Sequence, residues 1–354
     1  MNKCIKLMVP NKFDNNLLSK YVGLNDEHKD IKITEQYGSI PGIDPIGSAR
    51  ENKRLPKITT NQLEEYVKLS NHNEILCSWT INSSCFGTLK DLKKAEKTLK
   101  GSIEYLDSIG ICRYIIAHPL IISLVKEWSS TPIECSTITH VETISQIEEI
   151  IDMGCDKVCM SLNVNRNPDI LNELRQYPIK IELIATEMCN FNCIQRRFHY
   201  ALQSHQTEVE EDYCKYPYNY CTRLKNYNIV NWIKAPFILP QWMQIYSDLF
   251  GINNFKITGR TFPSEIIYPV VKAYMDGNYE GNLLELWTPL EYIGKENEYK
   301  KPQVYIDTKF LDKKFIMHFL QRETYFNCNI CSNGNRIFNN NNNCNHCYNY
   351  TFVR

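Results

Sequence analysis

The sequence has no long apolar run. No stretch approaches the roughly 18 consecutive apolar residues that a membrane-spanning helix needs, and the opening MNKCIKLMVPNKFDNN holds no apolar segment of signal-peptide length. Net charge is missing as well. Lys+Arg and Asp+Glu both number 40, so no global basic field draws the chain to nucleic acid or an anionic membrane. Fifteen cysteines without an export signal argue against a disulfide framework, because the cytosol keeps thiols reduced. Protease signatures are also lacking: there is no H-E-x-x-H and no evident Ser/His/Asp set. These absences predict a cytoplasmic protein with no membrane partner.

What is present is an alternation of short β-branched apolar runs with longer amphipathic stretches, the pattern of repeated βα units on a parallel sheet. Strands are expected at 4–10, 31–39, 74–82, 112–119, 132–140, 157–163, 179–187 and 255–260. Thr60 or Asn61 is expected to cap the second helix, and Gly110 and Gly277 to stop later ones. Eight such pairs predict an α/β chain, a (β/α)8 TIM-like barrel with an enlarged loop after the seventh strand. VNWIKAPFIL at 230–239 reads as either an extra strand or a buried crossing. The barrel is assigned to 1–290, a docking linker and helix to 291–326, and a C-terminal metal-binding segment to 327–354. Phe310, Phe315, Ile316 and Phe319 give that helix an apolar face.

Chemistry in such a barrel collects where strands run into their following loops. Glu35 and Tyr37 are read as closing the second strand, with Arg50 in its loop. Asn82 closes the third, His118 the fourth and His140 the fifth; Asn163 and Asn165 close the sixth, Glu187 the seventh and Arg260 the eighth. Arg50, Arg197, Lys234 and Arg260 suit a carboxylate or phosphate, since a guanidinium offers a planar fork of donors; the alternative is pairing with Glu35, Glu187 and Glu265. Glu187 with His118, His140 and His199 are the candidate acid–base groups.

The cysteines divide by setting. Cys4, Cys77, Cys112, Cys135, Cys155 and Cys159 sit singly in apolar runs, as small hydrophobes do. Cys189, Cys193, Cys214 and Cys221 are separated by three, twenty and six residues on one loop that also carries Arg196, Arg197, His199 and His205. That irregular spacing suits a 4Fe-4S cluster better than zinc. Cys328, Cys331, Cys344 and Cys347 form a symmetric double C-x2-C, which suits zinc or a second iron–sulfur cluster.

These same residues resemble the collagenase-like peptidase family, peptidase family U, number thirty-two. The likeness runs through EQYGSIPG and IGSAR at 35–50, STITHVET at 136–143, NVNRN at 163–167 and EMCNFNCIQRRFHYALQSH at 187–205. It continues in WIKAPFILP at 232–240, FKITGRTFPSE at 255–265 and GNLLEL at 281–286. The resemblance implies a TIM-like barrel with a cluster on Cys189, Cys193, Cys214 and Cys221. It also implies oxygen-independent hydroxylation of a nucleobase or quinone precursor, some members using prephenate as oxygen donor. The reading is an iron–sulfur enzyme acting on a small molecule, peptide or nucleobase, served by an electron donor or an oxygen-donor metabolite. Its rivals are a collagenase-like peptidase and a non-catalytic iron–sulfur assembly or binding subunit.

Overall fold

Eight parallel strands pair in chain order and the last returns to the first, closing a barrel in the computed structural model of the chain. Residues 4–187, 189–205, 216–227, 230–287 and 304–320 are described. The strands are β1 (Ile5–Pro10), β2 (Ile31–Gly38), β3 (Leu76–Ile81), β4 (Arg113–Ile116), β5 (Ile133–Cys135), β6 (Lys157–Cys159), β7 (Lys180–Ile184) and β8 (Asn254–Lys256). The (β/α)8 expectation holds, with shorter strands than the apolar runs suggest. After β5 and β6 the chain turns at once into 3-10 turns, Thr137–Thr139 and Leu162–Arg166.

Side-chain parity explains both faces of the barrel wall, because successive residues of a strand point to opposite sides. Leu7, Ile33, Trp79, Tyr114, Ile133, Val158, Leu183 and Phe255 belong to one large apolar core beneath the helices. Met8 and Ile115, next to two of these, form a separate small cluster with Tyr37, whose strand changes phase at the register shift beside Thr34, and Glu134, Lys157, Glu182 and Lys256 meet one another in ion pairs. Neighbours of outward-facing residues, they fill the lumen.

Around the wall run α1 (Asn15–Glu27), α2 (Thr60–His72), α3 (Leu89–Ser108), α4 (Pro119–Trp128), α5 (Ile144–Asp152) and α6 (Pro168–Glu173). Three begin with capping boxes: Thr59 with Gln62, Thr88 with Asp91, and Thr143 with Gln146. The second helix is therefore capped one residue earlier than Thr60. Gly110, Gly154 and Gly277 follow helix ends at φ of 92°, 80° and 65°, a conformation that costs any side chain strain.

The seventh connection is long and carries α7 (Arg196–Ser204), α8 (Tyr216–Tyr227), α9 (Val230–Lys234) and α10 (Met243–Phe250). Residues 230–239 are a buried crossing, not a ninth strand: α9 ends at Lys234, and the Ile238 amide donates to the Ala185 carbonyl just past β7. After β8 come α11 (Ser264–Met275) and α12 (Lys313–Leu320). On α12, Phe315 stacks 5.6 Å from Trp242, and the Arg166 guanidinium lies 4.4 Å over Phe319 and 4.9 Å over Phe237. Its apolar face thus docks on the barrel. Cys328, Cys331, Cys344 and Cys347 lie outside the described residues, as does Cys214. Among the described residues no helix is long and apolar enough to cross a membrane.

Candidate active site at the barrel mouth

The lumen beneath the mouth is ionic. Lys157 lies 2.5 Å from Glu182, 3.3 Å from Glu134 and 3.9 Å from Glu35. Lys256 lies 2.7 Å from Glu134 and 3.2 Å from Glu182, and Arg113 reaches Glu35 at 3.2 Å. Burial works against the charge of Glu134, but Lys157 and Lys256 outweigh it and hold that carboxyl down at about 2. Glu182 is pushed up, by burial first and then by the charge of Glu134. Three cations meet three carboxylates here. Glu35 is therefore a lumen ion-pair partner rather than a residue closing β2, in which three more residues follow it. Tyr37 is also inside, donating to the Ile257 carbonyl at 3.1 Å, with the Lys256 ammonium 4.6 Å over its ring.

The cysteine loop covers part of the mouth. Cys189 packs against Cys159, Leu162 and Ile184 at the top of the lumen, and burial pushes its thiol up to about 12. Cys193 and Cys221 are hydrogen-bonded to each other, which with Arg196 and Lys225 brings the Cys193 thiol down to about 6 despite its burial. Three thiols, from the loop and from α8, are thus gathered with two buried cations. Lys225 is 1% exposed, its ammonium 4.8 Å over the Trp232 ring. Arg196 is 4% exposed and ties the loop to the end of β6: it donates to Asn163 Oδ1 at 3.3 Å, Ser161 Oγ at 3.4 Å and the Asn190 carbonyl at 3.0 Å.

The sequence points to Arg197 as the loop's ligand-binding cation, but Arg197 is exposed and Arg196 is the buried one. Tyr200 and Gln203 were also missed. Arg196, Tyr200 and Gln203 stand at helical spacing on the buried face of α7, and that period was the available signal. Tyr200 packs with Ala49, Ala117 and Ile138 at the centre of the mouth. His140, His199 and the Arg50 guanidinium each lie 6.0 Å from its ring. Burial keeps its phenol protonated, with Glu187 and Cys189 adding to the effect.

The candidate histidines part company. His118 caps α4 through Nδ1, which accepts from the Leu120 amide at 3.2 Å, and its ring packs on Phe86. His140 adopts a left-handed conformation at φ 60°, ψ 49°, uncommon outside glycine and asparagine. It is 6% exposed, its Nε2 has no hydrogen-bond partner among the described residues, and burial with Arg196 and Arg197 holds the imidazole down at about 4. His199 meets Gln203 at 2.9 Å and is also held at about 4, by burial and Arg50. Both are therefore neutral near pH 7, able to exchange hydrogen bonds there but not to store a proton.

Arg260 is the cation of the opposite rim. It is 4% exposed and donates to the Thr80 hydroxyl, to Asn82 Oδ1 at 3.3 Å and to Ser39 Oγ at 3.4 Å; no ion pair among the described residues includes it. Burial and the nearby Arg50 lower its guanidinium to about 9. Lys12, donating to the Arg260 carbonyl at 3.0 Å, is lowered to about 8 by burial and then by Arg54 and Arg260. Arg50 in turn donates to Gln203 Oε1 at 2.9 Å. Arg50, Asn82 and Arg260 therefore share one rim, and Glu187 lies with the thiols. Asn163 bridges Glu142 and Arg196, a support for the loop. Asn165 is wholly buried, donating to the Ile184 and Pro236 carbonyls, and Lys234 offers its carbonyl to Arg166. Those placements cross-link the chain away from the opening.

A closed parallel barrel with thiols, phenol, imidazoles and a desolvated guanidinium gathered at the C-terminal ends of its strands belongs to the TIM-barrel class. More narrowly, the chain belongs to peptidase family U32, whose model matches residues 45–280. A protein of Methanocaldococcus jannaschii, named as an uncharacterized protease, is 26% identical over 248 residues, 68% of this chain and 72% of that one. A solved U32 peptidase superposes with a TM-score of 0.53 over 73% of this chain and 94% of its own, at 14% identity, a likeness of fold.

Proposed function

We propose that the barrel mouth is the active site of an iron–sulfur enzyme. Cys189, Cys193 and Cys221, joined by Cys214 of the same segment, would hold a 4Fe-4S cluster. The observation that carries this reading is the convergence of three thiols beside buried Arg196 and Lys225. Thiolate ligands bring net negative charge, and the two cations fit that donor set. When bound, the cluster would supply oxygen-independent hydroxylation or related redox chemistry on a small molecule, peptide or nucleobase. The chain's own groups do the rest. Arg260 and Arg50 attract an anionic substrate or oxygen donor, since a desolvated guanidinium binds an oxyanion strongly. Tyr200, kept protonated, donates a hydrogen bond at the centre of the mouth. His140 offers a neutral ring nitrogen.

Anaerobic purification followed by iron, sulfide and zinc counts tests the reading. About four irons per chain are expected at this loop, lost in Cys193→Ala; zinc or additional iron reports on the C-terminal quartet. Iron-free protein with freely titrating Cys189, Cys193 and Cys221 would overturn it. The relatives' names favour a second reading, a peptidase, in which Cys193, a thiolate at neutral pH, attacks the peptide carbonyl. Its bonded groups are the Cys221 thiol and the Gln195 backbone amide, neither a usual general base. Gelatin cleavage by cluster-free protein would decide for the peptidase. Loss of folding in Cys189→Ala with turnover unaffected would decide for a non-catalytic subunit.

A further inference from the structure

Beside the mouth, under the loop that follows β2, is a cavity of about 100 Å³. Its polar wall comes from Ser39, Asp44, Ser48, Asn52, Ser83 and Ser204, with no lysine, arginine or histidine among the described residues. Ser48 and Ser83 are 6% and 1% exposed, and neither hydroxyl has a hydrogen-bond partner among the described residues. Buried hydroxyls are nearly always paired, because an unpaired one forfeits the bonds it made to water. Two such groups on one cavity are an unfilled demand.

Asp44, Ser204 and Ser39 are already committed. Asp44 accepts from the Gly47 amide at 2.5 Å and from Trp79 Nε1 at 3.1 Å. Ser204 donates to the Tyr200 carbonyl at 2.8 Å and accepts from the Ser84 amide at 2.9 Å. Ser39 Oγ accepts from the Thr80 hydroxyl at 2.9 Å and from Arg260 at 3.4 Å, so one serine separates the cavity from the rim guanidinium. Among the described residues the only ionisable side chain on the wall is a carboxyl, a poor neighbour for an anion.

We propose that this cavity is a second subsite of the mouth, taking the uncharged hydroxyl or carboxamide end of a ligand whose anionic end rests on Arg260. Ser48 and Ser83 are its partners, each able to donate and to accept. The substrate or oxygen donor is then a molecule with two unlike ends, and Ser204 lets α7, the helix that follows Cys193, sense occupancy. Assigning the ligand to catalysis rests on the mouth being the active site. The cavity's own chemistry does not.

Anaerobically purified full-length chain, titrated with acetamide, glycerol and acetate and followed by backbone amide NMR, tests the proposal. Acetamide or glycerol should give saturable shifts at Ser48 and Ser83, weakened at least tenfold in the Ser48→Ala, Ser83→Ala double variant; acetate should act only near Arg260. The proposal falls if neither neutral probe saturates, water alone then satisfying the hydroxyls. It also falls if the double variant binds as the parent does, or if acetate saturates the cavity. Should the double variant not fold, Ser83→Thr, which narrows the cavity by a methyl group, should show the same tenfold loss. Probe binding is expected with or without iron, so a missing cluster counts against the active-site reading and leaves the cavity standing.

Discussion

The lumen and the mouth of this barrel handle buried charge in opposite ways. In the lumen, Arg113, Lys157 and Lys256 meet Glu35, Glu134 and Glu182 in a closed set of ion pairs. At the rim, Arg260 is as deeply buried yet rests on hydroxyl and amide oxygens. A desolvated charge is tolerable when its countercharge is built in, and costly when it is not. The lumen is therefore finished structure, whereas under the proposed function the countercharge of Arg260 comes with the ligand.

The sharpest way to break that contrast is to remove one carboxylate from the lumen. Glu134→Ala leaves Lys157 and Lys256 sharing Glu182, and should destabilise the fold by about 3–5 kcal/mol in urea unfolding. A much smaller loss would mean that the lumen ions are as loosely held as those of the rim. Next comes acid. His140 is held at about 4 when folded, against about 6.5 in an unfolded chain, so the unfolded chain takes up that proton first. Stability from the neutral ring is complete above pH 6.5 or so and lost as pH falls toward 4, on the order of 2 kcal/mol. His140→Asn, which tolerates the left-handed backbone, should flatten that acid limb.

Arg260→Met should weaken binding of a small carboxylate, measured by calorimetry, about tenfold to a hundredfold, the worth of one charged hydrogen-bonded contact. Its unfolding free energy should move far less than that of Glu134→Ala, since no carboxylate is left behind. The smallest change belongs to His118. Its role as a helix cap predicts that His118→Ala costs about 1 kcal/mol in thermal unfolding and leaves turnover intact. A large loss of turnover would move His118 into the chemistry.

The lumen pairs show how far the sequence could be read. Glu134, Lys157, Glu182 and Lys256 each flank an outward apolar residue, so their inward direction followed from strand parity. Nothing in the chain order announced that they would meet, because β5, β6, β7 and β8 are joined by separate helices. The loop beside Cys193 carried two adjacent arginines, and helix phase alone turned Arg196 inward and Arg197 to solvent. His118 and Asn165 read as site residues because polar groups at strand ends look alike until their hydrogen bonds are seen.

The order of apolar runs and turns by itself determined the eight strands, the long seventh connection and the position of Cys189 and Cys193 at its start. Those features depend on local periodicity and on the reach of each connection, which the chain carries residue by residue. Closure of the barrel decided most of the rest. Only then do Asn82 and Ser39, from two other strand ends, meet the guanidinium of Arg260, while Cys193 and Cys221 meet through the packing of the seventh connection itself. Charge and thiol chemistry act over a few ångströms of space, and separation along the chain does not fix that distance.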